Sequence, residues 1–370
     1  METARPEDVG LSSSRLSRLD EFLCKCIENG AFPGAVVLVG RRSRIVYHKA
    51  FGYSMITPRQ VEMRKDTIFD LASLTKPIVA ATLTMILVEE GVLRLDDKII
   101  DLVSPGLAPL YSEGDKQKVS VLHLLTHTSG LPAWLPLYSY CSSRDEVFRY
   151  VIRMPLKYPP GDKVVYSDLG IILLTYIIEY LTGKRIDVLA RDLIFNPLGM
   201  NDTTYNPSKE VADRIAATEF CKFRKRILVG EVHDENAYRM DGVSGHAGLF
   251  STALDIAKFA LFMLNRGSLG NVTILSRKSV DLMTRCHTEG LNDRRGIGWA
   301  LKTRGSSCGD LFSDRSYGHT GFTGTSLWID PEEELFVVFL TNRVHPTREN
   351  RAILRIRPLL HNIVASSIKD

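Results

Sequence analysis

Apolar residues change their spacing twice within the first sixty positions. Behind Leu11-Ser12-Ser13-Ser14, the residues Leu16, Leu19, Phe22, Leu23 and Cys26 recur at three- and four-residue intervals. That spacing predicts a serine-capped amphipathic helix. Gly34-Ala-Val-Val-Leu-Val-Gly40 is then uninterrupted, as a buried strand is, and Ile45-Val-Tyr-His-Lys-Ala-Phe51 follows an Arg41-Arg42-Ser43 turn. The pair reads as a hairpin. Strand signals return near the other end, at Gly298–Leu301, Tyr317–Gly321, Ser326–Ile329 and Leu335–Leu340, with Asp330-Pro331 as the turn between the last two. A final helix is predicted from Arg348 to Ala365, kinked or interrupted at Pro358. From Ser73 to about Arg285 the pattern is mostly helical. Strands at both ends with helices between them predict one mixed α/β (α+β) unit that carries a large helical insertion.

Composition narrows the class. The 370 residues are 44% hydrophobic and 24% charged, with 27 Gly and 16 Pro, which excludes fibrous and disordered chains. The net charge is only +4, and the one basic cluster, Lys222-Phe-Arg-Lys-Arg226, reads as a solvated loop or strand edge, so no nucleic-acid partner is expected. The apolar stretch from Leu169 to Leu181 has 13 residues and contains Glu179, too short to span a bilayer, and the first residues carry no apolar signal region. The six cysteines form no C-x-x-C pair. These features predict a reduced, cytoplasmic protein without membrane association.

Three segments offer chemistry. In Ser73-Leu74-Thr75-Lys76, a helix starting near Ser73 places hydroxyl and ammonium on one face. A serine becomes nucleophilic when a neighbouring base takes its proton, and a helix start favours an oxyanion. Alone the motif is ambiguous with a capping serine beside an exposed lysine, and Ser366-Ser367-Ile368-Lys369 repeats it near the chain end. Tyr166, in Pro159–Asp168, is either a packed aromatic or a phenol projecting into a cleft. His319, in Tyr317-Gly-His-Thr-Gly321, is either an edge-strand histidine or a site residue, with glycines that allow close backbone approach. His123 and His127 have zinc-pair spacing but lack the glutamate of H-E-x-x-H, which favours a structural role. The polar run Glu231–Ala237, with His233, Asp234 and Asn236, is open between a cleft-lining loop and a solvated turn.

The order of these segments resembles the penicillin-recognising serine hydrolases, in the class C β-lactamase-like branch with its DD-peptidases, esterases and muropeptide amidases. Leu124-Leu-Thr-His-Thr-Ser-Gly-Leu-Pro132 and Gly245-His-Ala-Gly-Leu-Phe-Ser-Thr-Ala253 extend the likeness over most of the chain. The resemblance implies an antiparallel sheet flanked by helices, built from residues 1–72 and 290–370, a helical unit over 73–289, and an active site between them. It implies acylation of Ser73, with Lys76 and Tyr166 sharing proton transfer, the acylation base left open between them. The amides of Ser73 and Phe322 would form the oxyanion hole. Asp168, His319, Thr320, Gly321 and Phe322 would face the substrate, and neither metal nor cofactor is needed. Asp168 stands where many β-lactamases carry Asn, and His319 where they carry Lys. An ionised Asp168 would stabilise protonated Lys76 and disfavour it as a free base, and would repel a substrate carboxylate. Both changes weaken recognition of a β-lactam or D-Ala carboxylate, with His319 expected to titrate near its ordinary value. The expected activity is hydrolysis of an amide or ester of a small or cell-wall-derived substrate, a peptide or muropeptide. The alternatives are a broad carboxylesterase and a catalytically silent ligand-binding sensor.

Overall fold

The computed structural model describes residues 2–112 and 114–369. Its main sheet has seven strands: β1 (Gly34–Arg41), β2 (Arg44–Met55), β3 (Val61–Glu62), β4 (Ala300–Leu301), β5 (Tyr317–Thr320), β6 (Ser326–Asp330) and β7 (Leu335–Thr341). The spatial order is β4-β5-β6-β7-β1-β2-β3, antiparallel throughout, with Val37 opposite Phe339. The pairing of β1 with β7 joins the first and last strand groups. The β1–β2 turn places Arg42 and Ser43 at φ +47° and +63°, the mirror-image turn that suits the strand twist.

Strand β1 is buried over its whole length because both faces are covered. Ala35, Val37 and Val39 face one apolar cluster with Leu19, Leu23 and Phe339, and Val36 and Leu38 face a second. The first cluster lies under α1 (Arg18–Glu28) and α5 (Ile353–Ala365), the second under α4 (Ala253–Leu264) and the helical half. Ser12 caps the short turn ahead of α1, accepting from Arg15 N.

The helical half follows the expected pattern, with two structural details. Residues 72–89 form one continuous helical run: a 3₁₀ turn, a π-helical stretch at Lys76–Ala81, then α2 (Thr82–Glu89). By length and composition the run could cross a membrane, but 83% of it is buried inside the protein, as a core helix is. Helix α3 (Asp168–Thr182) is capped by Ser167, which accepts from Gly170 N. A small sheet of Phe69–Asp70, Leu249–Ser251 and Thr204–Tyr205 ties the chain ahead of Ser73 to the 245–253 segment.

The last helix departs from expectation. Helix α5 starts at Ile353, because the residues after Arg348 are held outside the helix: Arg348 pairs with Glu219 and Glu235, and Asn350 Oδ1 accepts from Ala352 N. It also runs through Pro358 uninterrupted. The carbonyl that loses its amide partner belongs to Leu354, an exposed residue, so the group is not one that burial would penalise. The basic run at 222–226 is the tip of a two-stranded hairpin, a loop and strand edge as expected, with Lys222, Lys225 and Arg226 exposed and the Arg224 side chain buried against Glu231 at 2.9 Å.

Candidate active site

The turn that presents Ser73 is anchored from two sides. Asp70 is buried; its Oδ1 accepts from Ala72 N at 2.8 Å and its Oδ2 from His233 N at 2.6 Å. Burial raises the Asp70 carboxyl above its ordinary range, against the opposing bonds from His233 and Ala72. From the sheet, Thr323 Oγ1 donates to Asp70 O at 2.7 Å and Thr325 Oγ1 to Leu71 O at 2.9 Å. Ala72 sits at φ +48°, a left-handed conformation that costs a non-glycine residue about 1 kcal/mol and is held only by such surrounding bonds.

Lys76 is 1% exposed, one turn beyond Ser73. Its Nζ donates to Ser73 Oγ at 2.9 Å and to His246 O at 3.0 Å, and forms an ion pair with Asp168 Oδ1 at 2.7 Å. Burial alone lowers a lysine pKa, but the charge and hydrogen bond of Asp168 lead the contributions that outweigh it and hold Lys76 above its ordinary value. Asp168 reaches this place as the first residue of α3, where the positive end of the helix also favours a carboxylate.

Tyr166 lies in the loop before α3. Val165 N donates to His127 O at 2.9 Å, Ser167 N to His127 Nδ1 at 3.1 Å, and Ser167 Oγ to Pro132 O at 2.6 Å. The His127 and Tyr166 rings pack 4.4 Å apart, and Lys76 Nζ lies 4.8 Å from the Tyr166 ring centre. The phenol oxygen is buried with no hydrogen bond of good geometry among the described residues, within electrostatic reach of Lys76, Asp168 and Ser73. Burial raises its pKa although Lys76 pulls the other way, so the resting group is a phenol.

Strand β5 supplies the opposite wall. Gly321 has no room for a side chain: a Cβ would stand 2.1 Å from Thr325 Oγ1 and 2.4 Å from Leu71 O. His319 is buried, with Nδ1 3.0 Å from Thr320 O. That contact assigns the proton to Nδ1 and leaves Nε2, which has no partner among the described residues, as an acceptor. Burial first, then Lys76 and Arg295, hold His319 well below the ordinary histidine value. The expectation that it titrates near that value is therefore corrected: at neutral pH His319 is uncharged. Phe322 is half exposed, stacks on His233 at 5.6 Å, and its carbonyl accepts from Arg343 Nε at 2.8 Å.

Ser73, Tyr166, His319, Thr320, Gly321 and Phe322 all line one cavity of about 800 Å³. Lys76 and Asp168 do not line it; they touch each other. Asp168 is thus a partner of Lys76, already neutralised, and not a free negative charge facing substrate. The 231–237 run does not line the cavity either. Asp234 caps a short helix and pairs with His246 Nε2 at 3.0 Å, while Asn236 bridges Tyr138 N and Leu135 O. Of the histidine pair, His123 bonds Ser120 and only His127 meets the site. The sequence reading missed Asp70, whose contacts to His233 and Thr323 are distant in sequence, and the cavity-lining arginines Arg295, Arg343, Arg348, Arg351 and Arg357, which share no spacing. A C-terminal surplus of arginine was the one signal available.

Comparison with known proteins places the chain in a family. The Beta-lactamase family model matches residues 19–360. The chain is 37% identical to an N-acetylmuramyl-L-alanine amidase of Bacillus subtilis, over 92% of this chain and 83% of that one. It is 35% identical to a putative D-alanyl-D-alanine carboxypeptidase of Escherichia coli, over 92% and 85%. Among solved structures it shares its fold with EstCE1, a hydrolase with promiscuous acyltransferase activity (TM-score 0.74, 23% identity, 94% of this chain and 99% of that one). It also shares the fold of the octameric penicillin-binding protein homologue from Pyrococcus abyssi (TM-score 0.72, 24% identity, 93% and 77%). The chain belongs to the beta-lactamase family and is a serine hydrolase with carboxypeptidase and amidase relatives.

Proposed function

We propose that this hydrolase cleaves an amide bond in a cell-wall-derived fragment, in the manner of a muropeptide amidase, through an acyl-enzyme on Ser73. One observation carries the reading: a buried Lys76 ammonium joins Ser73 Oγ to Asp168 at the edge of the cavity. An ammonium fixed by a carboxylate is a poor proton acceptor, which leaves the Tyr166 phenol to move the proton. Ser73 Oγ attacks the carbonyl carbon and its proton passes to Tyr166 Oη. The phenol's own proton passes to the amide nitrogen, the C–N bond breaks and the amine leaves. Water then attacks the ester, gives its proton to Tyr166 Oη as the phenol returns one to Ser73 Oγ, and the acid departs. Lys76 stays charged and offsets the negative charge that develops on both oxygens. The amides of Ser73 and Phe322 receive the carbonyl oxygen as an oxyanion.

The amidase relative supports the substrate class, and the uncharged His319 supports an amidase over a β-lactamase, since it offers no cation where the resemblance expects a lysine. The six unpaired cysteines support a cytoplasmic site of action. The test is a hydrolysis panel of MurNAc-L-Ala peptides, D-Ala-D-Ala peptides, nitrocefin and p-nitrophenyl acetate, with a fluorophosphonate probe read by intact mass. The wild-type protein is expected to cleave the MurNAc-L-Ala bond fastest and to label once. Ser73→Ala should lose turnover by about 10⁴-fold or more and label nowhere. Labelling at another serine, or faster cleavage of D-Ala-D-Ala, overturns the reading.

A further inference from the structure

The cavity is strongly cationic. Five arginines line it, Arg295, Arg343, Arg348, Arg351 and Arg357, against two acids, Asp293 and Glu349. Two of the five already have carboxylate partners: Arg295 pairs with Asp293 at 2.8 Å, and Arg348 with Glu219 and Glu235. The other three form no ion pair with any described acid. Arg351 is exposed, but Arg343 and Arg357 are 7% and 4% exposed. Their bonds go to neutral carbonyls: Arg343 to Phe322, Arg348 and Asn350, and Arg357 Nη2 to Gly321 and Thr325. Arg357 Nε is buried without a partner among the described residues. Burial, with Arg343 adding repulsion, pulls the Arg357 guanidinium down to about 9, and burial and Arg348 lower Arg343.

Two neighbouring buried cations without a counter-ion are costly unless an anion arrives to join them. Their bonds to Phe322 O, Gly321 O and Thr325 O also tie them to the turn that carries the proposed oxyanion donor. We infer that Arg343, Arg351 and Arg357 form a carboxylate subsite of this cavity, which selects substrates with an acidic group in the peptide part, away from the bond that is cut. The inference rests on the amidase reading for its substrate. The arginines replace, at a different place, the cation that His319 does not supply. Planar guanidinium groups also hold a carboxylate by paired hydrogen bonds, which a single lysine does not.

The experiment compares two MurNAc-L-Ala-peptides identical except for a free carboxylate or a carboxamide on the side chain of the second peptide residue. The wild-type protein is expected to show a KM about 10- to 100-fold lower for the acid, with similar kcat for both. Arg357→Met and Arg351→Gln should bring the two KM values together, and Arg357→Lys should restore part of the difference. Arg355, exposed on the same helix and outside the cavity, is the control: Arg355→Gln should keep the preference. If Arg357→Met fails to fold, Arg351→Gln and Arg357→Lys still decide. Equal KM values in the wild type, or a preference that survives Arg351→Gln and Arg357→Lys unchanged, overturn the subsite. Calorimetric titration of Ser73→Ala with both peptides separates the two readings. Tighter binding of the acid with no turnover by wild type keeps the subsite and rejects the amidase; turnover without discrimination does the reverse.

Discussion

Replacing Asp168 by Asn removes one charge from a buried pair and leaves the other in place. The pair is close, at 2.7 Å, and unequal in burial: Lys76 is 1% exposed and the Asp168 side chain 18%. Unit charges about 4 Å apart at an effective dielectric of about 20 attract by about 4 kcal/mol. Removing one partner of a buried pair costs about 3–5 kcal/mol. Water at the partly exposed carboxylate and the remaining Asn oxygen each return some of that. We therefore expect Asp168→Asn to destabilise the fold by about 2–3 kcal/mol at pH 7. A cycle with Lys76→Met isolates the interaction: the double variant should be less destabilised than the sum of the singles, by about 2 kcal/mol. The sign with pH is fixed. Lys76 is held above its ordinary value of 10.5, so the stabilisation is complete below that value and is lost as pH rises through the native one. Urea unfolding of the four proteins at pH 7 and again above pH 10 measures both effects. A coupling below about 0.5 kcal/mol at pH 7, or one that grows with pH, would refute the charged Lys76 on which the proton route depends.

Tyr166→Phe should lower kcat on the order of 10²–10⁴ in the amide assay, because the proposed relay is lost. Its unfolding free energy should stay within about 0.5 kcal/mol of wild type or rise, since the buried hydroxyl has no good hydrogen bond to lose. His127 and His319 are both held well below the ordinary histidine value by burial, with Arg295 and Lys76 adding repulsion. Their neutral forms belong to the fold, so their contribution to stability is full above about pH 6.5 and falls in acid. Scanning calorimetry from pH 7.5 to 5 should show Tm dropping in wild type and dropping less in His319→Asn; parallel curves would count against a buried neutral ring. Gly321→Ala places a Cβ against Thr325 Oγ1 and Leu71 O, two residues ahead of Ser73. A loss of about 1–3 kcal/mol with most of the activity is expected from unfolding and turnover measurements, and wild-type activity in a stable variant would refute the tight turn.

Local chemistry made part of this readable in advance. Strands β1, β6 and β7 are buried over their whole length because both faces of the sheet are covered there, so β1 and β7 appear as apolar runs, and the β6–β7 turn is marked by Asp330-Pro331. Pro358 does not interrupt the last helix, since the carbonyl it leaves without an amide partner belongs to the exposed Leu354. The Ser73–Lys76 contact needed only one helical turn. The other Ser-x-x-Lys match shows what spacing alone leaves undecided: Ser366 is half-buried and donates to Ile363 O at 2.9 Å, at the C-terminal end of α5.

The sequence by itself determined the sheet's strands, the helical middle and the three motifs, because each depends on residues within a turn or a strand of one another. Tertiary structure decided everything that rests on charge. Whether Asp168 faces substrate or Lys76, and whether His319 is charged, depends on burial and on partners far away in sequence, Lys76 for both. The same holds for the arginines, which converge on one cavity only when the last helix packs against the sheet. Desolvation and Coulomb energy act through space, and spacing along the chain carries neither.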